Sequence, residues 1–114
     1  MNRSTLRWAV IVLTLITAAV HLFLGIGSVR NPDYLTLGIL FLLNSAGYVG
    51  LLVATLGWVP FIPPGVAHYG LMAFALITIV IWVGMGSRDI LAYATKADEV
   101  LLIAATFLHL RARE

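Results

Sequence analysis

Charged residues are scarce in this chain, and cysteine is absent. Only 11% of the 114 residues are Asp, Glu, Lys or Arg, whereas a soluble domain has about 25%. So few charges cannot cover a water-exposed surface, which argues against a soluble globule. The lack of cysteine excludes disulfides, thiolate metal sites and cysteine nucleophiles. The basic residues form no patch, so nucleic acid is not an expected partner.

Long apolar runs stand where the charges are missing. Hydrophobic residues make up 61% of the chain, and four runs have roughly the 20 residues that a helix needs to cross a bilayer. The predicted fold class is all-α: an integral membrane antiparallel four-helix bundle with short loops, one domain over residues 1–114. The spans are expected at about 6–27, 34–56, 66–86 and 90–110. The first run is too long for the apolar part of a signal peptide, so we expect it to be retained.

The last span has two possible starts. A helix from Ile90 would carry Lys96, Asp98 and Glu99 inside the membrane, which is costly for ionisable groups. Alternatively, Thr95 caps the helix with Asp98 three residues later, as in a capping box. The second interpretation is favoured because it keeps the charges at the membrane edge.

The basic residues predict the orientation of the bundle. Arg3, Arg7, Arg111 and Arg113 flank the two termini, whereas Arg30, Arg88 and Lys96 fall on the opposite side. Since the cytoplasmic side carries the excess of Lys and Arg, both termini are predicted to be cytoplasmic. The expected location is the plasma or inner membrane of the cell, as a multi-pass protein.

Four polar residues are expected at similar depth, with Asn44 near the middle of the membrane and His21, Lys96 and Glu99 in its outer half. Polar groups inside a bilayer mark proton, ion or ligand sites by default. The simpler interpretation is a structural one, in which Asn44 and His21 hydrogen-bond between helices. Lys96 and Glu99, one helical turn apart, would then satisfy each other.

Two further histidines are expected together at the inner edge of the membrane. His68 and His109 lie on different helices, and two such histidines can hold a haem iron or another metal. Haem b or a pigment is therefore a candidate cofactor. The alternative is that both are ordinary interfacial residues, because no established haem or zinc spacing surrounds them.

Small residues in the second span predict close helix packing. Ser45, Gly47 and Gly50 follow Asn44 closely, and small side chains let membrane helices approach one another. We expect the tightest contact between helices at this patch.

No catalytic motif occurs, so the protein is not expected to be an enzyme. The first hypothesis is a non-catalytic subunit or self-assembling module of a membrane complex, with the lipid bilayer and further copies or subunits as partners. The second is a haem- or pigment-binding accessory that uses the histidines. The third is a small proton- or ion-coupled transporter or channel, which at 114 residues would require an oligomer.

Two short motifs carry a resemblance to known proteins. They are His21-Leu22-Phe23-Leu24-Gly25, which closes the first span, and Tyr93-x-x-Lys96-x-x-Glu99-Val100-Leu101-Leu102-Ile103, which opens the last. With this layout, the chain resembles small four-span prokaryotic membrane proteins of uncharacterised function. The resemblance implies the four-helix fold and no particular activity.

Overall fold

The computed structural model describes residues 2–112 and is helical over 86%. Four helices follow one another: α1 (Arg3–Val29), α2 (Leu35–Thr55), α3 (Pro64–Met85) and α4 (Ile90–Ala112), with a 3₁₀ turn at Pro32–Tyr34 before α2. The described residues contain no strand. The predicted all-helical fold is therefore confirmed.

Three of the four helices are long and apolar enough to cross a membrane. They are α1, the segment Pro32–Thr55 that includes α2, and α3. The remaining helix, α4, has 23 residues but carries Lys96, Asp98 and Glu99. Length and composition therefore make this a membrane protein, while the fourth crossing stays a prediction.

Turn chemistry separates the helices. The Asn31 side chain accepts a hydrogen bond of 3.0 Å from the Asp33 amide, and Pro32 follows it. Gly57 ends α2 with a φ of 84°, a left-handed conformation that glycine adopts without a steric penalty. Pro64 is the first residue of α3, where its missing N–H costs nothing.

The last helix begins at Ile90, so the predicted cap at Thr95 is wrong. The Asp89 carboxylate accepts a hydrogen bond of 2.8 Å from the Ala92 amide at the start of the helix. Thr95 lies inside α4, and its hydroxyl donates to the Leu91 carbonyl at 2.7 Å. As a result, Asp98 and Glu99 are buried in the bundle rather than placed at a helix end.

The helices form a closed ring in which α1 and α3 each contact both α2 and α4. The core contains Val10, Tyr48, Leu71 and Leu102, one from each helix and all without exposure. Large apolar side chains also cover the outside: Phe23 is 73% exposed, for example. An apolar exterior around buried polar groups is the distribution that a bilayer requires.

Gly38 provides a test of the contact between α1 and α2. A Cβ atom there would lie 2.6 Å from the backbone nitrogen of Val29, which cannot move aside as a side chain can. We expect Gly38→Ala to destabilise the protein by about 1–3 kcal/mol, the usual penalty for overpacking. The measurement is unfolding by SDS in mixed micelles, followed by circular dichroism.

The matched control for Gly38 is Gly84→Ala. A Cβ atom at Gly84 would have nothing within 4 Å, and alanine favours a helix over glycine by about 1 kcal/mol. Gly84→Ala should therefore leave stability unchanged or raise it. Equal effects of the two substitutions would contradict the close approach at Gly38.

A buried polar network as candidate functional site

Glu99 lies at the centre of a polar network inside the bundle. Its side chain is fully buried, and both carboxylate oxygens are hydrogen-bonded. Oε1 accepts from Lys96 Nζ at 2.6 Å, one turn earlier on α4. Oε2 accepts from the Tyr48 hydroxyl at 2.5 Å and from the Thr17 hydroxyl at 3.0 Å. Donors from α1, α2 and α4 therefore meet on one carboxylate.

His21 extends this network along α1. Its Nδ1 lies 2.8 Å from the carbonyl oxygen of Thr17 and 3.3 Å from the Thr17 hydroxyl. Because a carbonyl only accepts, Nδ1 carries the proton in this arrangement. The Thr17 hydroxyl thus links His21 to Glu99. We call Thr17, His21, Tyr48, Lys96 and Glu99 the Glu99 network.

Three of the four residues predicted at this depth meet here, namely His21, Lys96 and Glu99. Asn44 makes a different contact: its Nδ2 donates to the Thr78 hydroxyl on α3 at 3.0 Å. Sequence reasoning missed Thr17 and Tyr48. Thr17 precedes His21 by one helical turn, and that spacing was the available signal for a shared face.

Asp98 is the second buried acid of α4. The residue is 8% exposed, and its Oδ2 has no hydrogen-bond partner within the part of the chain that the structure describes. The predicted capping role fails because the helix begins eight residues earlier, at Ile90. The carboxyl group is thus enclosed without the donors that Glu99 has.

His68 and His109 are in direct contact. His68 Nε2 lies 2.9 Å from His109 Nδ1, and His68 Nδ1 lies 2.5 Å from the Pro64 carbonyl oxygen. Since that carbonyl only accepts, His68 carries its proton on Nδ1, and its Nε2 accepts from His109 Nδ1–H. The predicted proximity of the two histidines is thus present as a hydrogen bond.

This geometry does not suit the predicted haem site. Two axial ligands on opposite sides of one iron have their nitrogens roughly 4 Å apart, because each bond is about 2.0 Å long. The nitrogens of His68 and His109 that face each other are 2.9 Å apart and share a proton. The described residues also contain no group of three His, Asp or Glu side chains placed to hold a metal.

The predicted packing patch on α2 divides between two surfaces. The Ser45 hydroxyl donates to the Ala18 carbonyl on α1 at 2.7 Å, and Gly47 lies against the Phe74 ring of α3. A Cβ atom at Gly50 would meet nothing within 4 Å. Ser45 and Gly47 therefore serve packing within the bundle, whereas Gly50 faces outward.

The fold and the site together define a class: a helical membrane protein with a hydrogen-bonded carboxylate at its centre. No family model matches the chain, and no curated protein or solved structure matches it at a significant level. The likeness to small four-span prokaryotic membrane proteins stays a resemblance of short motifs.

Proposed function

We propose that this protein is a non-catalytic membrane module that crosses the bilayer four times as an antiparallel bundle. It acts as a subunit of a larger membrane complex or by assembling with copies of itself. The observation that carries the proposal is the hydrogen bonding of the Glu99 carboxylate. Both oxygens of this fully buried carboxylate accept hydrogen bonds from the protein itself, so the polar centre holds helices together.

Two surface grooves lie away from the Glu99 network, and their positions support a structural role for the polar residues inside the bundle. One groove lies at the end of α1 and is lined by residues such as Phe23, Arg30 and Tyr34. A second is lined by Leu6, Leu108 and Arg111. Neither groove is lined by a residue of the Glu99 network, so neither leads a substrate to the carboxylate.

Two contacts support the antiparallel arrangement and a fourth crossing. Leu6 near the start of α1 and Leu108 near the end of α4 line the same groove. His68 near the start of α3 bonds to His109 near the end of α4. Helices that bring opposite ends together run in opposite directions. The charges of α4 are compatible with a crossing because Lys96 and Glu99 neutralise each other.

The same ion pair strengthens the proposed orientation. Lys96 is engaged with Glu99 inside the bundle and therefore does not count as a loop residue. Of the other described basic residues, Arg3, Arg7 and Arg111 lie in the first turns of α1 and the last turn of α4, near the termini, while Arg30 and Arg88 lie in the loops at the opposite ends of these helices. Arg113 lies outside the described residues. We propose that both termini face the cytoplasm, as the positive-inside rule requires.

Self-assembly is tested on the outer face of α2. Ala46 and Gly50 are both exposed and four residues apart, the small-xxx-small spacing at which membrane helices pack closely. We expect Gly50→Ile to weaken association of the protein with itself about tenfold or more, a change of about 1.4 kcal/mol. Analytical ultracentrifugation in a mild detergent measures this over a range of protein-to-detergent ratios.

The matched control is Gly84→Ile, which adds the same side chain at another outward-facing glycine, on α3. Association of this variant should equal that of the unmodified chain. A wild-type protein that stays monomeric at every ratio, and that purifies from its membrane with no other subunit, would contradict the proposed function.

A further inference from the structure

A second group of buried polar side chains lies at the opposite end of the core from Lys96. We group the hydrogen-bonded pair His68 and His109 with Thr55 and Thr106, which lie near the ends of α2 and α4, and call the four residues the histidine cluster. Thr106 has no exposure and Thr55 has 3%. Neither threonine hydroxyl has a hydrogen-bond partner among residues 2–112.

The orphaned hydroxyls are unusual for this bundle. Threonine inside a helix commonly donates to the carbonyl four residues earlier, and Thr14, Thr78 and Thr95 all do so here. A buried polar atom without a partner costs about 1–3 kcal/mol. Such atoms in native proteins are commonly satisfied by internal water. Internal water at the histidine cluster would supply the partners that these two hydroxyls lack among the described residues.

Register along the helices relates the two polar groups. Thr55 follows Tyr48 by seven residues on α2, and Thr106 follows Glu99 by seven residues on α4. Tyr48 and Glu99 are hydrogen-bonded to each other, and a helix advances 1.5 Å per residue, so each threonine lies about 10 Å further along its helix axis than Tyr48 or Glu99. His109 is one further turn along α4.

Buried apolar side chains of the core lie between the two groups along this line. Leu52, Leu71 and Leu102, from α2, α3 and α4, are buried and belong to one core cluster. Leu102 lies three residues after Glu99 and four before Thr106. We call these three residues the leucine layer. A narrow apolar layer between polar regions is the arrangement by which pores close through dewetting.

We propose that the bundle interior is a gated proton path between the histidine cluster and the Glu99 network, with the leucine layer as its gate. A proton enters at the imidazoles, crosses the layer on a transient chain of water, and is accepted by the Glu99 network, which releases one toward Lys96. Each group returns to its starting protonation, so one proton is moved and no bond to a heavy atom changes. Lys96 retains 11% side-chain exposure and gives the network its outlet.

The proposal goes beyond the structural role, because it gives a function to the unpartnered hydroxyls of Thr55 and Thr106. A subunit that only holds a complex together does not need such groups in its core. It predicts opposite effects for two substitutions. Thr106→Val keeps the shape of the side chain and removes the hydroxyl. The substitution should raise the barrier to proton transfer and slow the proton flux about tenfold. Leu102→Ala thins the gate and should raise the flux above that of the unmodified protein.

The test uses the full chain in liposomes that contain a pH-sensitive dye, with a potassium gradient and valinomycin to set the membrane potential. Thr36→Val and Leu101→Ala are the controls, because both make the same chemical changes at exposed positions. Both controls should conduct as the unmodified protein does. Circular dichroism and gel filtration of every variant verify that the helices and the size are retained.

Acidification by the unmodified protein that Thr106→Val slows and Leu102→Ala accelerates would support the path. Wild-type vesicles that acidify no faster than protein-free vesicles would overturn it, as would equal rates in Thr106→Val, Leu102→Ala and their controls. These results are independent of the association measured at Gly50, so the failure of one proposal is distinguishable from the failure of the other.

Discussion

Replacing Glu99 with alanine should destabilise the bundle by about 3–5 kcal/mol, the usual effect of leaving one partner of a buried ion pair alone. The substitution removes the acceptor of three donors at once: Lys96 Nζ at 2.6 Å, the Tyr48 hydroxyl at 2.5 Å and the Thr17 hydroxyl at 3.0 Å. Lys96 would remain as a largely buried cation without a partner. Unfolding in SDS mixed micelles measures the free energy.

Two variants separate charge from hydrogen bonding at this site. Glu99→Gln keeps an oxygen that accepts from Tyr48 and Thr17, and leaves Lys96 uncompensated. The double variant Lys96→Met with Glu99→Gln removes both charges, and buried ion pairs replaced in this way often lose little stability. We therefore expect stability to fall in the order wild type, double variant, Glu99→Gln, Glu99→Ala.

The control for Glu99 is Asp33→Ala, which removes an exposed acid from the turn before α2. Surface substitutions of this kind change stability by about 0.5 kcal/mol or less. A Glu99→Ala protein as stable as Asp33→Ala would show that the network does not hold the helices together. It would also remove the observation on which the proposed structural role rests.

The helical fold was accessible from the sequence because bilayer physics leaves few alternatives. Each apolar run is about as long as a membrane span. The runs are interrupted at Asn31-Pro32 and at Pro63-Pro64, and the helices begin and end near these breaks. The start of α4 was misjudged for a physical reason. Considered alone, α4 is more stable in a membrane with Asp98 and Glu99 at its end. Two of the three donors that stabilise a buried Glu99, the Thr17 and Tyr48 hydroxyls, lie on α1 and α2.

The sequence predicts the depth of the site residues in the membrane, but not the side of its helix on which each residue lies. Equal depth in the membrane predicts that His21, Lys96 and Glu99 form one group, and the three residues belong to one hydrogen-bonded network. Height does not specify which side of a helix a residue occupies, and Asn44 bonds to Thr78 on α3. The burial of Tyr48 is not predictable from the sequence, because it follows only from how α2 packs.

The second large effect is expected at Tyr48, which is fully buried and joins α2 to the network. Its ring packs edge-on against Phe74 with centroids 4.8 Å apart, and its hydroxyl donates to Glu99. Tyr48→Ala loses both contacts and leaves a cavity, so we expect a loss of about 3–5 kcal/mol, as for other buried aromatic residues. Tyr69→Ala, at an exposed tyrosine of α3, is the control and should change stability by about 0.5 kcal/mol or less.

Tyr48→Phe isolates the hydroxyl group, because the ring and its packing against Phe74 remain. A hydrogen bond to a charged group contributes about 1.5–3 kcal/mol, so the loss should fall in that range. Tyr48 and Thr17 donate to the same oxygen of Glu99, and contacting residues of one network are coupled by about 0.5–3 kcal/mol. The pair Tyr48→Phe and Thr17→Val should therefore be non-additive. Additive losses would mean that the two donors act separately, and the shared carboxylate would then not be what joins α1 and α2 to α4.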